Sequence, residues 1–203
     1  MKSLLTFVIF TFFVIGSSPR QALASPPNSI FSSPDSPIMR IRERIEYFFA
    51  FNTQKKVIVL EKQAERRLTQ AENLAKTKSV DQIPPLIKSY ETLKERQGGL
   101  IRGAPTIDLA GVKERTIEQQ SRIEGIKKDM PENAKDVVEN SQSTVIKTMI
   151  DNIRADENEE KVTEFTEGIK NVLDPGTNVI LESAPEVAPG ANDINPGNID
   201  YAP

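Results

Sequence analysis

The sequence predicts an all-α protein, in which an antiparallel helical hairpin and bundle follow a signal peptide and precede a disordered C-terminal tail. Apolar residues recur at steps of three and four, which is the spacing of one helical face. Pro, Gly, Ser and Asn collect in the short stretches between those segments, where they favour turns. The chain of 203 residues contains no Cys. Helix packing must therefore hold it folded, because disulfides and Cys-ligated metal are excluded.

The first 24 residues have the order of a signal peptide. A positive charge at Lys2 precedes an uncharged apolar run over residues 4–15, and small side chains follow at Ala22 and Ala24. The apolar run is short for a helix that must cross about 30 Å of hydrocarbon at about 1.5 Å per residue. We therefore predict export, with cleavage between Ala24 and Ser25. An uncleaved N-terminal anchor is the alternative.

Residues 25–35 are rich in Pro, Ser and Asn and are predicted to form an extended leader. Ser36 followed by Pro37 is typical of a helix start. A single apolar face then follows, and it predicts a first helix: Ile38, Ile41, Ile45 and Phe48.

A second, longer helix is predicted to start at the cap Asn52, with an apolar face that runs from Val57 to Ala75. The pair Pro84 and Pro85 fits only the first turn of a helix, so a turn is predicted just before it. The third helix should fold back on the second, which gives an N-terminal hairpin unit over residues 36–97. Residues 98–105 hold three Gly and a Pro and are predicted to be a loop.

A C-terminal helical unit is predicted over residues 106–173. Its first helix spans about residues 108–128. Asp129 and Glu132 have the spacing of a capping box before the next helix, and Asp156 and Glu159 repeat it before a last short one.

Residues 174–203 form a tail of different composition. They contain five acidic residues and no Lys or Arg, with many Pro, Gly and Asn, which predicts disorder. After signal cleavage, 24 basic residues stand against 29 acidic ones, so the tail carries the whole net charge. A balanced body does not favour nucleic acid, which selects a basic face.

Two stretches of the sequence resemble a known group of proteins. The first is the motif Pro34-Asp35-Ser36-Pro37, followed by the aromatic block 47–51, by Lys55-Lys56 and by a long Ala/Glu/Arg helix. The second runs from Glu118-Gln119-Gln120 to Pro131-Glu132-Asn133-Ala134. Over about residues 34–153 the chain is similar to exported bacterial proteins that share a helical domain of unknown function. The resemblance implies an extracytoplasmic helical domain and no known activity.

The block 40–51 is the sharpest candidate for a functional surface. A basic, aromatic amphipathic helix can lie on an anionic membrane, with rings at the apolar boundary and arginines near phosphates. The alternative, which the shortage of other large side chains favours, is that the aromatics fill the core and the arginines form a solvated rim. The residues concerned are Arg40, Arg42, Arg44, Tyr47, Phe48, Phe49 and Phe51.

No catalytic, cofactor or metal site is predicted. The chain has no His, which removes the commonest proton-transfer group and metal ligand. Acidic residues cluster in two places, but the first cluster is typical of helix capping and the second lacks the Gly and closing Glu of a calcium loop. The two clusters are Asp156, Glu157, Glu159 and Glu160, and Asp193, Asn195, Asn198 and Asp200.

These observations predict a non-catalytic exported protein that acts by contact, either with another protein of the cell envelope or with itself. An extracytoplasmic chaperone-like or sensory protein is one alternative, because helix pairs of this kind can expose an apolar groove. Peripheral binding to an anionic membrane surface through residues 40–51 is another.

Overall fold

The computed structural model describes residues 36–102, 104, 107–175 and 177. Within these residues there are six α-helices, a single 3₁₀ turn at Val80–Gln82 and no strand, which confirms the all-α prediction. The predicted signal peptide, its cleavage site at Ala24 and Ser25, the leader and most of the predicted tail lie outside the described residues. The helices are α1 (Pro37–Phe48), α2 (Thr53–Lys76), α3 (Ile83–Ile101), α4 (Leu109–Lys127), α5 (Glu132–Asp156) and α6 (Glu159–Lys170).

Side-chain caps begin four of the helices. Ser36 Oγ accepts from the amide of Met39 at 3.2 Å, and Asn52 Oδ1 accepts from that of Lys55 at 2.8 Å. Asp108 caps α4 and Asn158 caps α6 in the same way. The predicted starts of α1 and α2 are therefore correct, since each follows from a local hydrogen bond.

Two residues that the sequence predicts as helix caps do not cap those helices. Asp156 is the last residue of α5. The cap of α6 is Asn158, whose side chain accepts a hydrogen bond from the backbone amide of Lys161. Pro131 occupies the capping position of α5 without a side-chain hydrogen bond, so Asp129 does not act as the predicted cap.

Helices α2 and α3 form the predicted antiparallel hairpin, and their contact is the most extensive among the described helices. Arg67 contacts Ser89, whereas Glu61, earlier in α2, contacts Lys94, later in α3, so the two helices run in opposite directions. The connection turns at Lys78, whose φ of 58° lies in the left-handed region.

Helix α3 continues through Gly98 and Gly99 to Ile101, so the predicted loop over residues 98–105 begins later than expected. The reason is a close helix crossing. A Cβ atom on Gly98 would lie 2.6 Å from Thr148 Cγ2 of α5. The missing side chain lets α3 approach α5, which offsets the low helix propensity of Gly.

The two predicted units do not have separate cores. One cluster combines α2 and α3 with Ile123 of α4 and Val138 and Val145 of α5. A second cluster combines Val57 of α2 and Ile101 of α3 with apolar residues of α4, α5 and α6. Residues 36–97 and 106–173 therefore share both cores.

The folded body extends past its predicted end at residue 173. Lys127 Nζ is buried and pairs with Glu124 at 2.9 Å, Glu139 at 3.0 Å and Asp174 at 3.2 Å. Thr177 is fully buried and its hydroxyl also contacts this ammonium group. The first residues assigned to the tail thus belong to the packed structure.

Candidate interaction surface

Helix α1 turns its apolar face to solvent. Ile38, Ile41 and Ile45 are each 50–56% exposed, and Phe48 is 74% exposed. Their spacing places them on one face, as the sequence predicts, but that face does not pack on the body. We call these four residues together with Phe49 and Phe51 the α1 surface.

The opposite face of α1 is mainly polar, with Tyr47 at its end, and it is the face that packs. Glu43 is 8% exposed, and its Oε2 atom lies 2.6 Å from Arg67 Nη2 of α2. Arg66 of α2 donates two hydrogen bonds to Glu46, at 3.0 and 3.1 Å. The amide of Gln63 donates to the carbonyl of Glu43 at 3.1 Å. Ion pairs and hydrogen bonds therefore set the rotation of α1, and its apolar face is left outside.

The arginines that contact Glu46 of α1 keep its carboxyl group ionised. The hydrogen bond from Arg66 to Glu46 is the main reason that the pKa of this carboxyl lies below its usual value. Arg42 adds a second hydrogen bond to Glu46 at 3.1 Å. Glu46 consequently stays ionised and paired over the ordinary pH range.

The aromatic residues after α1 form an exposed cluster. Phe48 and Phe49 meet edge to face with centroids 5.5 Å apart, and Phe49 meets Phe51 at 6.2 Å. Phe49 is 60% and Phe51 80% exposed. The prediction that these aromatics fill the core is therefore wrong. The small side chain of Ala50 takes the buried position in this turn instead.

Tyr47 differs from its three aromatic neighbours. It is half-buried against the first core cluster, and the charged groups of Lys56 and Arg96 lie 5.4 and 5.0 Å from its ring centroid. Such cation–π contacts hold the ring between α2 and α3. Tyr47 therefore anchors the end of α1 and is not part of the α1 surface.

The three predicted arginines, Arg40, Arg42 and Arg44, are all exposed on α1. The two acids of this helix, Glu43 and Glu46, are directed to α2, as described above. The solvent-facing charges of α1 are consequently cationic. The sequence indicates these arginines and the phenylalanines as a candidate surface, and it places the three isoleucines on one helical face without deciding whether that face packs. The run Arg66-Arg67 in α2 is the signal that could have revealed the polar contact.

A second polar feature lies inside the body, between α2, α3 and α4. Glu61 accepts hydrogen bonds from Lys94 at 3.0 Å and from Gln97 and Gln119 at 2.6 Å each. Burial raises the cost of ionising Glu61, but these donors outweigh it and lower the pKa of the carboxyl. Tyr90 donates to Gln119 at 3.0 Å and extends the network. Because donors occupy both of its oxygens, Glu61 stabilises the helix packing and is poorly placed to accept a proton from a substrate.

The acidic cluster at the end of α5 is divided among cations. Glu157 pairs with Lys113 at 2.7 Å, and Glu159 pairs with Arg154 at 2.9 Å. No three carboxylates of the described residues converge in a way that would hold a metal ion. The candidate calcium loop at residues 193–200 lies outside the described part of the chain. Among the described helices, none has the length and apolar character needed to cross a membrane.

Comparison with known proteins adds one finding. The model of a family described as a domain of unknown function, DUF5667, matches residues 31–133. The matched region ends about twenty residues before the resemblance noted in the sequence, and it contains α1 to α4 with the first residues of α5. Searches of curated proteins and of solved structures gave no match. The match covers just over half of the chain, which therefore belongs to the DUF5667 family.

Proposed function

We propose that this protein is a non-catalytic bacterial protein, exported across a membrane, that acts by contact with another component of the cell envelope through the α1 surface. One observation carries the proposal, namely that the amphipathic helix α1 packs with its polar face and exposes its apolar face. An exposed contiguous apolar patch is typical of an interaction site. The N-terminal charge, apolar run and small residues before Ser25 support export.

The non-catalytic part of the proposal is supported by composition and by the buried network. The chain has neither His nor Cys. In the polar cluster around Glu61, internal donors occupy both oxygens of the carboxylate. An adjoining cleft of about 430 Å³ is lined by Val57, Ile58, Glu65, Arg115 and Arg122 among others, and its charged groups are of both signs. This arrangement favours helix packing over acid–base chemistry.

Site-specific photocrosslinking in living cells tests the contact. A benzophenone amino acid at Phe48, on the α1 surface, should give a discrete adduct with a protein or with lipid after illumination. The same probe at Val137 of α5, which is 43% exposed, is the matched control and should give none. If Phe48 gives no adduct at native expression level, or gives the same adducts as Val137, the proposal is wrong.

Export is tested separately by intact mass. The mature protein should begin at Ser25, and Ala24→Leu should block cleavage because the large side chain does not fit a signal peptidase pocket. Recovery of the full-length chain from the cytoplasm would contradict export.

A further inference from the structure

We infer that the component which covers the α1 surface is an anionic lipid bilayer, on which α1 lies in the plane of the headgroups. This inference rests on the proposed function, since it names the partner of the same surface. It begins from shape. The apolar residues of α1 extend along its whole length, from Ile38 to Phe48, and the two phenyl rings of Phe49 and Phe51 follow just beyond its end. A helix with one apolar face and a cationic border is typical of interfacial binding.

The charge of the exposed side favours lipid phosphates. Arg40, Arg42 and Arg44 are exposed on α1, and Lys55 and Lys62 are exposed on the adjoining α2. The acids that would repel an anionic surface are compensated, because Glu43 pairs with Arg67, and Glu46 pairs with Arg66 and Arg42. The same charges disfavour a second copy of the chain, since two such surfaces would bring like charges together.

The single exposed side chains of the α1 surface also suit a bilayer. Aromatic and aliphatic side chains enter the membrane boundary individually, while arginines remain at the headgroups.

Vesicle binding of the mature protein tests the inference. The probes are unilamellar vesicles of phosphatidylcholine alone, and of phosphatidylcholine mixed with phosphatidylglycerol, at an ionic strength of about 0.1 M. We expect partitioning to the anionic vesicles to be at least about tenfold stronger than to the neutral ones. Binding to the anionic vesicles should weaken as the salt concentration is raised. Equal binding to both, or no binding to anionic vesicles at low salt, would overturn the inference.

Two variants assign the binding to α1. Arg40→Gln/Arg42→Gln/Arg44→Gln should lower partitioning roughly a hundredfold, at about fivefold per cation. Phe48→Ala/Phe49→Ala should lower it by at least about tenfold, because each exposed ring contributes apolar area to the membrane boundary. Both variants should keep the wild-type circular dichroism and melting temperature, since the altered side chains are exposed.

A charge-matched control removes three cations from another side of the molecule. Lys128→Gln/Lys135→Gln/Arg154→Gln changes the residue just after α4 and two residues of α5, and it should alter partitioning less than about threefold. An equal loss in this control would mean that net charge alone drives binding, and the assignment to α1 would fail.

The two proposals can fail independently. If the probe at Phe48 captures a protein while the vesicles bind nothing, the contact function stands and the lipid inference is wrong. If the probe captures a second copy of the chain and ultracentrifugation shows a dimer, self-association replaces lipid. If neither the probe nor the vesicles give a signal, both proposals are wrong.

Discussion

Glu43 and Arg67 are the residues that fix how α1 lies on the hairpin. Both are buried, and their closest atoms are 2.6 Å apart. The pair is incompletely satisfied, because Glu43 Oε1 and Arg67 Nη1 have no hydrogen-bond partner within the described structure. A buried ion pair of this kind adds little net free energy compared with an apolar pair, whereas loss of one partner is costly. Its contribution is therefore to orientation.

Substitution of one partner should cost more than substitution of both. Arg67→Met leaves the buried Glu43 carboxylate with only the more distant Arg66, at 3.9 Å, and we expect the free energy of unfolding in urea at pH 7 to fall by about 3 kcal/mol. Glu43→Leu/Arg67→Met should recover at least half of that loss. The control Arg154→Met removes an exposed pair and should change stability by less than about 0.5 kcal/mol. A single variant as stable as the control would contradict this account.

Asp174 should make part of the stability of the folded protein depend on pH. The backbone amide of Thr177 is the largest of the favourable causes that lower the pKa of Asp174 to about 2, and the ammonium of Lys127 adds to it. Because the folded pKa lies below the unfolded value of about 3.9, the stabilisation is complete above that value and is lost as the pH falls towards 2.

Asp174→Asn tests this assignment. Since Asp174 is about half exposed, we expect the variant to be only about 1 kcal/mol less stable than the wild type at pH 7, after allowance for solvent screening. The difference should shrink as the pH falls towards 2, where about half of the folded molecules carry a protonated Asp174, and it should vanish only below that pH. Asp136→Asn, at an exposed position of α5, is the control. A difference between Asp174→Asn and the wild type that stays constant from pH 7 to pH 2 would show that the charge of Asp174 plays no part.

For individual residues, the sequence predicts the features that depend on neighbours close in the chain, such as helix caps. The caps Ser36 and Asn52 are correct because each bonds to an amide three residues away. The exposure of Phe48 and its neighbours is decided by Arg66 and Arg67, which lie about twenty residues further along the chain. Hydrophobic spacing identifies a face of α1 but does not state which side packs, and here the ion pairs decide it.

Among the elements, the crossing of α3 and α5 offers two adjacent glycines with opposite expected effects. Gly98→Ala would place Cβ 2.6 Å from Thr148 Cγ2 and 2.7 Å from Asn152 Nδ2, so these buried side chains must shift or the helices must move apart. Overpacking of this kind costs about 1–3 kcal/mol, more than the gain in helix propensity. Gly99→Ala meets no atom within 4 Å and should stabilise by about 0.5–1 kcal/mol. Urea denaturation of both variants measures the contrast, and a stabilised Gly98→Ala would refute the close crossing.

The same crossing explains why the end of α3 is difficult to predict. Two consecutive glycines are unfavourable in a helix and are typical of a loop. The compensation comes from α5, about fifty residues away in the sequence. The sequence predicts the starts of α1, α2 and α3 because capping and Pro placement are local, and it misses the continuation of α3 because close packing is not.

For the whole molecule, the two shared cores predict cooperative unfolding. Ile87 and Tyr90 of α3 pack with Ile123 of α4 and Val138 of α5, so neither predicted unit can be removed without exposing the other. We expect one urea transition by circular dichroism, with the same midpoint by tyrosine fluorescence. A fragment of residues 36–102 should show no cooperative transition. Two separate transitions, or a stably folded fragment, would restore the two-unit description.

The family match covers only part of the residues that pack together. It ends at residue 133, within the first turn of α5, yet Val145 of α5 belongs to the first core cluster and the Thr148 side chain lies against Gly98. In this chain the matched region is therefore only part of the packed body, and α5 and α6 complete it.

Tyr47 can serve as an intrinsic fluorescent probe of α1. The chain contains no Trp and only three Tyr, so near-ultraviolet emission comes from Tyr47, Tyr90 and Tyr201. Tyr90 is fully buried in the core, whereas Tyr47 is held between two cations at the end of α1. With Tyr90→Phe and Tyr201→Phe, the remaining fluorophore would report on α1 alone. The position of this helix can then be followed in real time without a dye, in solution or beside a vesicle.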